Sequence, residues 1–319
     1  MKITKLQMAA AILSFAIGGF STPSRAQQHK SQSEASVSFK FENISVAGAA
    51  QLNAYAINNK KEIAGDYVNA AGVEQGVLLK GTKVTSVNCG AGESTVIYGE
   101  NQSAHAVVDC GGGGELRPET GLGGYIWYAG RLIGPINCEC PGPEFTVLND
   151  SELVVGYFEG SGQLQGLILN LQTDAFTSLS VPGTASTIAW GINDAGLITL
   201  QATNPASGLT DSYLYNGQSY TEIDVPGALQ SFAYNINKNG DIVYSFVDAN
   251  QNSHGALYLA STGQFFPFDD PNGPGTTSAF GINDEVAGKT SSKLEIVGEY
   301  AIPGTSQSQS YMATVTIKP

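Results

Sequence analysis

From Ser36 to the C-terminus the chain alternates apolar and polar residues in short runs, each closed by Gly, Pro, Asn or Asp. Alternation with a period of two places side chains on opposite faces of a strand, so this pattern predicts many short β-strands and no long helix. The runs repeat. NAYAINNKKEIAGDY from Asn53, FTVLNDSELVVGYF from Phe145, IAWGINDAGLITL from Ile188, FAYNINKNGDIVYSF from Phe232 and AFGINDEVAG from Ala279 align plainly, and VIYGENQSAHAVV from Val96 is a degenerate sixth. Their shared turn residue is Asn58, Asn101, Asn149, Asn193, Asn237 and Asn283, a period on the order of 45 residues.

Each unit continues in the same order. A strand follows the Asn turn, then an apolar run such as GVLLK from Gly76 or GALYL from Gly255, then a last strand ending in a turn such as TEIDVPG from Thr221. Four short strands per repeat are the mark of a propeller blade. The last unit lacks its fourth strand, and SVSFKFENISVAG from Ser36 resembles that missing outer strand. The expectation is an all-β, six-bladed β-propeller closed by an N-terminal outer strand, with Phe39 to Ser45 pairing near Met312 to Ile317. A β-solenoid is the alternative, but it predicts shorter repeats and gives no reason for complementary ends.

The chain of 319 residues is 42% hydrophobic and 13% charged, with 39 Gly, 13 Pro and a net charge of -13. So acidic a surface disfavours nucleic acid and anionic membrane. Lys2 and Lys5, the apolar run from Met8 to Phe20 and Ser24-Arg25-Ala26 read as a signal peptide over 1–26, leaving one propeller domain over 27–319. A secreted or periplasmic protein is expected, without membrane insertion after cleavage, because the run is too short to span a bilayer. Export makes Cys89, Cys110, Cys138 and Cys140 candidate disulfides, with three pairings open. Zinc is disfavoured, since Cys138-Glu139-Cys140 lacks the ligand spacing and only three His are present. No metal or cofactor is expected.

The GIN-D/N-x-G turns, the I-V-G-x-Y second strands, the D-V-P-G-A turn at Asp224 to Ala228 and His254-Gly255-Ala256 resemble the extracellular His-Ala-Phe (HAF) repeat family. The resemblance covers nearly the whole chain after the leader. It implies a secreted repeat protein and specifies no activity.

The register Asn suits a turn, because its side chain bonds the backbone two residues on. Three positions before it stand Tyr55, Tyr98, Thr146, Trp190, Tyr234 and Phe280; one position before it stand Ile57, Glu100, Leu148, Ile192, Ile236 and Ile282. The two sets share a strand face, and blade packing is the favoured reading over an aromatic sugar platform. Glu100 interrupts the aliphatic set, so it is either a buried carboxylate with a raised pKa or an exposed group in a slipped blade.

All four cysteines map to the face opposite the Asn turns, in blades two and three. The insertion CGGGGELRPETGLGG leaves from the same face. Glu115, Arg117 and Glu119 are its charged groups, and Trp127 follows it; with Glu100 these are the candidate binding residues. No catalytic residue is identified: there is no G-x-S-x-G elbow, and Asp248, Asn250 and Asn252 start a calcium-like loop whose sixth place is Ser253 rather than Gly. The sequence favours a binding or scaffold propeller for an unknown extracellular glycan, peptide or protein on the disulfide-bearing face. The alternative is a propeller hydrolase or lyase acting on a carbohydrate or lactone.

Overall fold

Six antiparallel sheets follow one another along the chain in a computed structural model that describes residues 35–90, 93–111, 124–136, 140 and 142–318. The expected signal peptide and nearly all of the Gly-rich insertion lie outside these residues. Blade 1 comprises Gln51–Ile57, Glu62–Val68, Glu74–Lys80 and Lys83–Val87. Blade 2 comprises Thr95–Glu100, Ala106–Cys110, Tyr125–Tyr128 and Arg131–Ile133. The innermost strands of blades 3 to 6 are Glu144–Leu148, Ser186–Ile192, Gln230–Ile236 and Thr277–Ile282. Each sheet packs on the next, and the sixth packs on the first. The chain is thus a six-bladed all-β propeller. Among the described residues no helix is long and apolar enough to cross a membrane.

The sixth sheet draws its outermost strand from the other end of the chain. Ser36–Asn43 runs antiparallel to Ser308–Lys318, from Ser36 opposite Lys318 to Asn43 opposite Tyr311. Alternation turns Phe39 and Phe41 inward: their rings lie 4.5 and 6.0 Å from Phe268 of blade 5, and Phe41 meets Tyr311 edge-on at 5.3 Å.

Each innermost strand carries a bulge near its middle, which aims the aromatic position toward the channel. In blade 1, Ala54 and Ala56 face the consecutive residues Gly65 and Ala64, leaving Tyr55 as the extra residue. The turn that follows is held by the register Asn. Asn58 Oδ1 accepts from the backbone N–H groups of Lys60 and Glu62 at 2.9 and 3.0 Å. Asn149, Asn193 and Asn237 do the same in their own turns.

The same amide also joins the blades. Asn101 Nδ2 donates to the carbonyl of Asn149, Asn149 to Asn193, Asn193 to Asn237 and Asn237 to Asn283, at 3.2, 3.1, 3.0 and 3.3 Å. One residue on, a second girdle runs through backbone N–H to side-chain oxygen bonds: Asn59 to Gln102, Asp150 to Asp194, Lys238 to Asp284 and Asp284 to Asn59, at 2.7 to 2.9 Å. The amide girdle is buried, where an unpaired donor costs most, whereas the second girdle is half-buried or exposed.

Packing between innermost strands alternates around the ring. Two residues before the register Asn, blades 2, 4 and 6 carry Gly99, Gly191 and Gly281, where blades 3, 5 and 1 carry Val147, Asn235 and Ala56. A Cβ on Gly281 would stand 2.7 Å from Ala56 Cα, and one on Gly191 would stand 2.5 Å from the Tyr234 carbonyl oxygen. The GIN glycine is therefore a small residue under the neighbouring blade's backbone.

Candidate functional site

The inner strands line the channel with two tiers of side chains, and a third, acidic layer stands behind them, drawn mostly from the second and third strands. At the face bearing the Asn turns, Ile57, Leu148, Ile192, Ile236 and Ile282 form an aliphatic tier, and Glu100 completes it. Glu100 is only 5% exposed, which excludes the slipped-register reading. Neither carboxyl oxygen has a hydrogen-bond partner, and the adjacent Asn58 Nδ2 is also buried and unpaired. Burial, and then the nearby Glu62 carboxylate, push the Glu100 pKa up to about 9, against a small opposing pull from Asn58 and Lys60. Glu100 is therefore protonated at neutral pH. It sits at one of two gaps in the Asn girdle, between blades 1 and 2; at the other, between blades 6 and 1, Asn283 donates to Glu295 instead.

The middle tier is aromatic. Tyr55, Tyr98, Thr146, Trp190, Tyr234 and Phe280, with Asn235, enclose a cavity of about 130 Å³. Ring centroids of neighbours stand 5.6 Å apart for Tyr55 and Tyr98, 6.0 Å for Tyr55 and Phe280, 5.0 Å for Tyr234 and Phe280, and 5.2 Å for Trp190 and Tyr234. Thr146 takes the aromatic's place in blade 3 and donates toward the carbonyls of Val155 and Ala189, at 3.1 and 3.0 Å. Tyr157, on the second strand of that blade, approaches Trp190 at 6.5 Å. The set expected to pack blade against blade does so around an open centre. Trp190 Nε1 is buried and meets no acceptor among the described residues.

The outermost tier, toward the disulfide-bearing face, is acidic. Asp66 is fully buried; its Oδ2 accepts from Asn53 Nδ2 at 2.8 Å while Oδ1 has no partner. Burial and then Glu74 raise its pKa to about 7, against the Asn53 and Tyr55 side chains, which favour the charged form. Glu74 accepts from the Ser94 hydroxyl, and Glu144 accepts from the Tyr157 hydroxyl. Burial drives the Tyr98 phenol pKa upward, followed by the charges of Asp109, Glu144, Asp66 and Glu74. The Tyr55 phenol is raised by burial and by Asp66, with Tyr98, Glu299 and Glu74 adding to it. The tyrosines thus stand among carboxylates, and among the described residues no Lys or Arg lines the cavity.

This acidic tier escaped sequence reasoning, although a signal for it exists. One register position of the second strand is polar in every blade: Asp66, Asp109, Tyr157, Gln201, Ser245 and Glu299. A polar residue recurring in an otherwise apolar strand marks a face turned toward something other than the core.

The structure separates the remaining candidates. Trp127 lies half-buried on the third strand of blade 2, packed on a core cluster that includes Ala106 and Ile97, and it does not line the cavity. Glu115, Arg117 and Glu119 lie outside the described residues. Cys89 is bonded to Cys110, with Cα atoms 5.6 Å apart. It joins the exit of blade 1 to the second strand of blade 2, one junction earlier than blades two and three. Cys140 is also disulfide-bonded, and Cys138 lies outside the described residues.

His254 Nδ1 sits 3.0 Å from Asp269, its Nε2 sits 3.5 Å from Asp248, and its ring stacks on Phe246 at 5.1 Å. The calcium-like loop is closed on itself: Asp248 Oδ1 accepts from the N–H groups of Asn250 and Asn252, both at 2.8 Å. Among the described residues no group of three or more His, Cys, Asp or Glu is placed to hold a metal ion.

No protein-family model matches the chain, and no curated protein does. Solved structures resemble it in fold. Prolyl endopeptidases share 12% identity at a TM-score of 0.47 over 80% of this chain and 40% of theirs. TolB from Acinetobacter baumannii shares 12% identity at a TM-score of 0.47 over 85% of this chain and 66% of its own. The six-bladed fucose-binding lectin of Aleuria aurantia shares 13% at 0.41, over 69% of this chain and 77% of the lectin. The chain thus spans 40% and 66% of the length of the first two.

Proposed function

We propose that this propeller is a binding protein that takes a small ligand, or one terminal group of a larger one, into the aromatic tier of its channel from the disulfide-bearing face. The observation that carries this reading is the cavity of about 130 Å³ walled by Tyr55, Tyr98, Trp190, Tyr234 and Phe280. A channel that served packing alone would be filled, because protein interiors are close-packed and an unfilled apolar void costs stability. Two buried polar atoms, Trp190 Nε1 and Asp66 Oδ1, have no partner among the described residues, which is uncommon in a packed interior.

The size sets a limit. A cavity on the order of 150 Å³ accommodates benzene, so a whole peptide or oligosaccharide cannot enter. The disulfide supports an oxidising compartment outside the cytosol, in keeping with the export pattern of the N-terminus. A hydrolase or lyase would need an acid–base pair at the same cavity, and among the described residues no carboxylate lines it.

The chain has only two Trp, so Trp127→Phe leaves Trp190 as the sole indole reporter. A library of small neutral and charged molecules titrated into that variant is expected to give saturable changes in Trp190 emission. Saturable binding to the parent protein with no change in Trp190 emission would place the ligand elsewhere.

A further inference from the structure

We propose that the aromatic tier is a cage for a small organic cation carrying a methylated ammonium head. This names the ligand class of the site proposed above and rests on that reading. The geometry points there first. Six positions arranged around an axis form a hexagon, whose centre lies one side length from every corner. The four sides between neighbouring rings run from 5.0 to 6.0 Å, and Thr146 holds the sixth corner without a ring. A cation on the axis would therefore lie within about 6 Å of each ring centroid, the range in which a positive charge is drawn to the negative face of an aromatic ring.

Charge points the same way. Asp66, Glu74, Asp109, Glu144 and Glu299 stand around the tyrosines, and among the described residues no cationic side chain lines the cavity. An anion would be repelled there. An ammonium ion with its own hydrogens would be held in water by strong hydration, and the rings offer it no acceptors. Methyl groups weaken that hydration and match an apolar wall, so a quaternary or tertiary head fits better than a bare one. The cavity volume of about 130 Å³ suits one such head.

Choline and its uncharged isostere 3,3-dimethylbutan-1-ol share shape and hydroxyl and differ in charge. Titration calorimetry on the full chain is expected to show choline binding at least tenfold tighter than the isostere. Trp190→Leu is expected to lose at least tenfold in choline affinity. Should that variant fail to fold, Glu299→Gln at the edge of the tier provides the second arm: choline should weaken several-fold while the isostere is unchanged. Equal affinities for the two compounds, or choline binding indifferent to both variants, would overturn the cation assignment. Silent choline together with a Trp190 emission response to neutral molecules would reject the cation and leave the channel site standing. Silence from both would remove both.

Discussion

Glu100 shows how one residue can be chemically out of place and still fit. Its slot is aliphatic in the other blades, its carboxyl is buried, and both oxygens lack partners. With its pKa raised to about 9, the folded state holds a proton that the unfolded chain gives up near pH 4.5. Stability tied to this group is therefore complete below about pH 4.5 and is lost progressively as pH rises toward 9. Glu100→Gln keeps the shape and removes the titration. Chemical denaturation should find the variant equal to the parent at pH 4 and more stable at pH 9, by roughly 3–6 kcal/mol. A constant difference across that range would mean that Glu100 does not titrate from a buried site.

Residue type revealed that slot because five neighbours in register were Ile or Leu. It did not reveal the blade-to-blade donation by Asn101, Asn149, Asn193 and Asn237, since an Asn in a turn is already explained by its own turn. Nor did it show that Gly99, Gly191 and Gly281 face larger residues across alternate junctions, a relation visible only once the ring is assembled.

At the scale of the element, strand order and blade number were legible because period-two alternation and Asn turns are local signals. The pairing of Ser36–Asn43 with Ser308–Lys318 was also legible, from a strand missing at one end and spare at the other. The acidic tier was not, because the second-strand position shared by Asp66, Asp109 and Glu299 is polar but not acidic in the other blades, and Glu144 comes from an innermost strand.

We propose that the N-terminal strand holds the ring closed. It covers the edge of the last strand and sends Phe39 and Phe41 against Phe268 of the neighbouring blade. Deleting residues 36–43 should expose that edge, a template for pairing with other chains. Size-exclusion chromatography is expected to show aggregation, with the melting transition lowered by more than ten degrees or abolished. A monomer with unchanged melting would show that the other five junctions suffice.

At the scale of the molecule, the ring sets three chemistries along one axis: aliphatic with a single protonated carboxyl, aromatic around an open centre, and acidic toward the disulfide-bearing face. No blade supplies a site alone. The cavity exists because six similar strands converge, and its character comes from the positions where the repeats differ, Thr146 among the aromatics and Glu100 among the aliphatics. The disulfide between Cys89 and Cys110 ties the blades whose acidic groups border the tier on one side. A crystal structure of the protein soaked with choline tests the central claim most directly. The trimethylammonium head is expected on the propeller axis, surrounded by Tyr55, Tyr98, Trp190, Tyr234 and Phe280. A ligand ordered elsewhere on the surface, with the aromatic tier holding only water, would contradict it.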